Sequence, residues 1–126
     1  MTETVNVVDL QDLKFRGSSG IKGAALFDEK TPTKFIFSGI FTIEAGGKLD
    51  MHYHDCEEMQ HVIQGYGMLR DSENKEYKLR PGTTFYCHAG PKGAHEIRNA
   101  SDLTFVCLYM YYSPGGKRVS LTRLTD

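Results

Sequence analysis

The chain has no tryptophan, only four prolines and three cysteines, and no excess of charge of either sign. Its 15 Lys and Arg against 16 Asp and Glu leave a formal charge of −1. That balance gives no electrostatic ground for a nucleic-acid partner or an anionic membrane surface. No uninterrupted apolar stretch approaches the ~20 residues of a spanning helix, so no membrane segment is expected. Met1 to Asn6 lacks the basic and apolar regions of a secretion signal. Cys56, Cys87 and Cys107 are odd in number and stand at no zinc-finger spacing. They read as free thiols of a reducing compartment, and a cytoplasmic location is expected. A convincing amphipathic helix is missing too: the best candidate, Val8 to Phe15, is short.

What is present is alternation of period two, broken at short intervals by Gly and Pro. Lys34 to Ile43 sets Phe35, Phe37, Gly39, Phe41 and Ile43 against Ile36, Ser38, Ile40 and Thr42. Met59 to Gln64 is a second strand, ended by Gly65. Met68 to Arg70 and Tyr77 to Leu79 flank a polar stretch and predict a hairpin. Pro81-Gly82 marks a turn, and Thr83 to His88, His95 to Asn99 and Leu103 to Tyr112 complete the series. Short strands at this spacing predict one all-β domain, a sandwich or barrel. Residues 34–112 read as the barrel core. Residues 1–33 read as a strand or arm that packs on the barrel or on a dimer partner. Residues 113–126 read as a tail or edge strand. Edge pairing with a second copy would cover an open sheet edge, so a homodimer is expected.

One segment carries chemistry. In Gly46-Gly47-Lys48-Leu49-Asp50-Met51-His52-Tyr53-His54-Asp55-Cys56-Glu57-Glu58, His52 and His54 stand at i and i+2. On a strand they share a face and can converge on one ion. After a short turn Glu58 can add an oxygen, giving a nitrogen and carboxylate set suited to an open transition-metal site. Further on, Gly90-Pro91-Lys92-Gly93-Ala94-His95 brings another His to the start of a strand, followed by Asn99.

These residues resemble the cupin superfamily. Gly46, His52, His54, Glu58 and Gly65 match its first motif at every spacing, and Gly82, His95 and Asn99 fit parts of its second. In that second motif His88 stands where the pattern has Pro, Gly90 matches the next Gly, and His95 comes two residues late, so the loop from Gly90 to Ala94 is expected to be longer than usual. The resemblance implies a double-stranded β-helix, a jelly-roll barrel. It implies His52, His54, Glu58 and His95 as ligands of one divalent transition metal: Fe, Mn, Ni, Co or Zn. It also implies a small metalloenzyme for a small organic substrate, of dioxygenase-type oxidoreductase class. The alternatives are a lyase, isomerase or cyclase using the metal as Lewis acid, a non-catalytic ligand-binding cupin, and a structural role for the metal.

Parity sorts the remaining candidates. Gln60 shares the face of Glu58 and is expected in the cavity, where it can orient a bound group. His88 shares the face of Tyr86 and Thr84, and is read either as a general base at the barrel mouth or as a surface histidine. His61 has the opposite parity to Glu58 and reads as packing, as does Tyr53. In the aromatic run near the C-terminus, either Phe105, Cys107, Tyr109 and Tyr111 or the alternate set lines the interior.

Overall fold

Alternation along Lys34–Ile43 becomes a strand, β3 (Ile36–Ile43), whose inward face carries Phe37, Gly39, Phe41 and Ile43. The computed structural model of the chain describes residues 5–18 and 20–124. The other strands are β1 (Arg16–Ser18), β2 (Ile21–Phe27), β4 (Lys48–Tyr53), β5 (Glu58–Gln64), β6 (Gly67–Asp71), β7 (Glu76–Leu79), β8 (Thr84–Cys87), β9 (His95–Arg98), β10 (Phe105–Tyr112) and β11 (Thr122–Arg123). Among the described residues there is no α-helix, only three single 3₁₀ turns. Among those residues no helix is therefore long and apolar enough to cross a membrane.

The strands form two antiparallel sheets, ordered β1-β2-β3-β10-β5-β8 and β11-β4-β9-β6-β7. Both contribute to the core: Phe41, Ile43, Val62, Phe105 and Cys107 from the first sheet pack with Leu69, Leu79 and Ile97 from the second. Each fully buried aliphatic or aromatic side chain contributes about 1.5–3 kcal/mol, which makes this cluster the main source of stability. The predicted hairpin is β6–β7, in register from Gly67↔Leu79 to Arg70↔Glu76. Gly65 lets β5 turn towards the second sheet. Its φ is 86°, and a Cβ there would lie 2.7 Å from the Thr104 carbonyl oxygen, so no other residue fits.

Val8 to Phe15 is not a helix. It holds one 3₁₀ turn, Leu10–Asp12, whose Gln11 amide donates to the Asp9 carboxylate at 3.1 Å. Val8 and Leu10 stay exposed, so there is no buried face to hold a longer helix together. The N-terminal segment instead joins its own chain's sheet: β2 pairs with β3 from Ile21↔Ile43 to Phe27↔Ser38. At the other end, β11 pairs with β4 through Thr122↔Tyr53 and Arg123↔His52, as an edge strand.

On the outer face of the second sheet, Glu96 is buried beneath three cations. Arg70 donates to it through Nε and Nη2 at 3.3 and 3.0 Å, with Lys48 and Arg98 at 3.6 and 3.8 Å. Hydrogen bonding from Arg70 holds the Glu96 carboxyl below the usual glutamate range. A carboxyl with a depressed folded-state pKa stabilises fully above the unfolded value and loses that contribution as pH falls through the folded one. Glu96→Gln is expected to cost about 1–3 kcal/mol at neutral pH. In urea denaturation series, the difference from the parent should close as the pH falls below about 4.

Candidate metal centre

Strand register gathers the predicted ligands. In the β4–β9 ladder His52 lies directly opposite His95, and their ring centroids are 4.5 Å apart. A bulge between Leu49 and His52 in that ladder puts both on the inward face, and re-aims the strand as bulges do. His54 follows on the same face, 5.1 Å from His52 between ring centroids. Glu58 opens β5, which runs between β10 and β8, so Glu58 faces Tyr111 on one side and Cys87 on the other. The late position of His95 is absorbed by the 3₁₀ turn Pro91–Gly93, with the Gly90 amide anchored to the His54 carbonyl at 2.7 Å. Asn99 is a clamp: its side-chain amide donates to the carbonyls of Ile43 and Leu103 at 2.9 and 2.7 Å.

All three imidazoles present the same nitrogen to the interior. Nδ1 of His52 lies 2.7 Å from the Asp50 carbonyl, Nδ1 of His54 3.0 Å from that of Ser120, and Nδ1 of His95 2.9 Å from that of Gly93. A carbonyl only accepts, so each Nδ1 carries the proton and each Nε2 keeps its lone pair. Burial lowers all three pKa values, that of His52 to about 4 with help from the neighbouring His95, so the rings are neutral at pH 7. Glu58 Oε1 lies 3.4 Å from His95 Nε2 and 3.9 Å from His54 Nε2, and is buried with no hydrogen-bond partner. Its other oxygen accepts from the Gln60 amide at 2.9 Å. Burial pushes the Glu58 carboxyl up to about 7, opposed in part by Gln60 and Tyr111. Lone pairs thus face lone pairs across a small space. Neutral imidazole nitrogens and an unpartnered carboxylate oxygen are donors that a divalent transition metal takes, and these residues fit such an ion.

Two neighbours escaped the reading of the sequence as site residues. The Tyr111 hydroxyl donates to His54 Nε2 at 3.1 Å. Cys87 Sγ lies 4.0 Å from His95 Nε2, and ligand atoms of Glu58, Cys87 and His95 all fall within 4.8 Å of one another. Burial, then the charge of Glu58, pushes the Cys87 thiol up to about 12, so it stays protonated. Gln60 is where parity placed it, but both ends of its amide are engaged: it donates to Glu58, and its oxygen accepts from Cys107 Sγ at 3.4 Å. His61 lies on the outer face, 2.6 Å from Thr84 Oγ1. The face shared by Thr84, Tyr86 and His88 is also the outer one. His88 is exposed, its ring edge-on to Tyr86 at 5.0 Å, and it lines a second cavity of about 590 Å³, which Cys87 and His95 also line from within.

Above His52, His54 and Glu58 opens a cavity of about 620 Å³, walled by Phe37, Phe41, Tyr109 and Tyr111. Of the two faces of β10, the one bearing Cys107, Tyr109 and Tyr111 lines the interior. Gly39 makes room for it, since a Cβ there would collide with the Tyr109 ring.

The family model described as cupin domain matches residues 39–111. An L-ectoine synthase of Nocardia farcinica (strain IFM 10152) is 30% identical over 69 residues, 54% of this chain and 51% of that protein, so the chain spans about half the length of this curated relative. The polyketide cyclase RemF from Streptomyces resistomycificus superposes with a TM-score of 0.79 at 17% identity, over 98% of this chain and 89% of that one. A Bacillus subtilis oxalate decarboxylase described for its Mn(II) centres superposes with a TM-score of 0.73 at 22% identity, over 91% of this chain and 31% of that one. The structural likenesses show the fold, which is the double-stranded β-helix expected.

A carboxyl whose folded-state pKa is raised destabilises as pH rises from its unfolded to its folded value, because only the unfolded chain has released the proton. For Glu58 that interval runs from 4.5 to about 7, and the loss is at most about 1.4 kcal/mol per pH unit. In protein kept metal-free with EDTA, Glu58→Gln should therefore be more stable than the parent at pH 8. The gap in urea denaturation should narrow towards pH 5.

Proposed function

The chain belongs to the cupin domain family, and from that premise we propose an enzyme that uses one divalent transition metal on a small organic substrate. His52, His54, Glu58 and His95 are its protein ligands. The observation that carries this reading is Glu58 Oε1, buried without a hydrogen bond and facing imidazole nitrogens that have no proton to give it. A bound metal supplies Lewis acidity towards a substrate carbonyl or carboxylate or, as iron, redox chemistry.

The chain's own residues do the rest. The three Nδ1–carbonyl bonds hold the rings with Nε2 inward. Gln60 is a positioning residue: it fixes one Glu58 oxygen and leaves the other free for the ion. Burial holds the Tyr111 hydroxyl well above the tyrosine range, so it acts as a hydrogen-bond donor to His54 or to a ligand oxygen. Phe37, Phe41 and Tyr109 exclude water from the substrate side. Lewis-acid chemistry of the lyase, isomerase or cyclase type is the better-supported reaction class, since the relatives named are a synthase, a cyclase and a decarboxylase. A dioxygenase-type oxidoreductase is the second reading, carried by the three-His, one-Glu set. Manganese is supported by the decarboxylase relative; Fe, Ni, Co and Zn suit the same donors. Unpaired thiols support a cytoplasmic setting. The exposed Phe35, Met59, Tyr86 and Tyr112 on the outer face of the six-stranded sheet support a homodimer through that face.

Titration with Co(II), followed by its visible absorption, tests the site. His52→Ala should abolish measurable binding while the far-ultraviolet circular dichroism persists. Gln60→Ala should weaken binding by about 10–100-fold, as loss of an outer hydrogen-bond partner does. Turnover assays on carbonyl and carboxylate substrates, with and without O₂, separate the two reaction classes. Parent protein that binds no first-row divalent cation defeats the reading, and binding without any turnover leaves a ligand-binding cupin.

A further inference from the structure

The cavity above the metal centre is lined by Lys14, Arg16, Lys22 and Arg118, and Glu58 is the single acidic side chain in its lining. This is unlike the chain as a whole, where acids and bases cancel. All four cations are exposed, so they stand at the open side of the cavity. Among the described residues none of them enters an ion pair, whereas Lys48, Arg98 and Arg123 each meet a carboxylate within 4.0 Å. Arg118 also acts inward. Burial holds the Tyr109 hydroxyl above the ordinary range, and the Arg118 charge is the pull opposing that rise. Asp28, which takes the amide of Lys30, lies outside the lining, though its charge and that of Glu58 reach Tyr109 and add to the rise that Arg118 opposes. Below the rim the walls are apolar and aromatic.

Unpaired surface cations are ordinary one at a time. Four around one opening, drawn from both ends of the chain, set up a focused positive potential over a low-dielectric pocket. We infer that this pocket takes a small anion with an apolar body, its charged group held at the rim by Lys14, Arg16, Lys22 and Arg118 while the body lies against Phe37 and Tyr109. The inference rests on the reading of this cavity as the substrate pocket and names the class of substrate.

Benzoate, phenyl phosphate, benzyl alcohol and benzylamine are probes of one shape and different charge. Their binding is followed by amide chemical-shift changes in EDTA-treated and Co(II)-loaded protein. One or both anions should bind at least ~10-fold more tightly than the alcohol, with the amine weakest, and the preference should shrink with added salt. Which anion leads separates carboxylate from phosphate recognition. In the double variant Lys14→Gln, Arg118→Gln the preference should fall several-fold, with Co(II) binding and thermal stability unchanged. Equal binding of anion and alcohol, or a preference that survives in the double variant, overturns the inference. Co(II) binding without anion preference defeats this inference alone, whereas anion preference without Co(II) binding defeats the metal reading alone.

Discussion

A buried carboxylate oxygen with no hydrogen bond, Glu58 Oε1, sets the terms for the rest of the structure. Leaving such a group unsatisfied costs more than a hydrogen bond gains, so it persists only where surrounding packing over-determines it. Here the packing is the barrel. β5 is held on both sides, by β10 and β8, so Glu58 cannot swing out to water without breaking two ladders. Its second oxygen is tied to Gln60, which is tied in turn to Cys107 in the core cluster. The hydrophobic core thus stabilises the fold and also aims one carboxylate at two imidazoles, those of His54 and His95.

That aim has an energetic consequence. Nε2 lone pairs and a carboxylate oxygen within 3.4–3.9 Å repel when all are unprotonated, and burial denies them the solvent that would screen the repulsion. The metal-free protein can relieve this by retaining a proton on Glu58, as its raised pKa implies. A divalent cation relieves it more fully by meeting several lone pairs at once. The surface treats its buried acid in the opposite way. Glu96 sits beneath Arg70, Lys48 and Arg98, and its charge is stabilised. Two buried glutamates on one scaffold therefore have pKa values pushed apart, one upward by burial and one downward by its hydrogen bonds and cations.

Much of this was legible in the chain. His52 and His54 share a face because side chains alternate on a strand, and the same rule placed Gln60 inside and His61 outside. The hairpin over residues 67–79 followed from polar residues between two apolar runs. Other features depended on which strands become neighbours, which local pattern does not encode. Tyr111 and Cys87 reach the site only because β10 and β8 both pair with β5 at Glu58. For His88, alternation correctly grouped it with Tyr86 and Thr84, but only the barrel decides that this is the outer face. The bulge ahead of His52 was hidden too, since a bulge is a property of two strands in register.

The two ends of the chain bear on the site in a way that separates chemistry from recognition. Residues from β3 to β10 supply every candidate ligand and the aromatic walls, Phe37, Phe41, Tyr109 and Tyr111. The segments outside them supply all four rim cations, from before and within β1 and β2 and from the stretch after β10. The C-terminal stretch also touches one candidate ligand, because the carbonyl that fixes the tautomer of His54 belongs to Ser120, two residues beyond Arg118. Ordering of that stretch, secured by β11 along β4, therefore acts on two things at once: the direction of one imidazole and the position of one rim charge. Charge at the opening and donor geometry at the floor are coupled through a few residues of backbone. A change that displaces the backbone of this stretch would shift both without touching a candidate ligand, whereas truncating the exposed Arg118 side chain alters the rim charge alone.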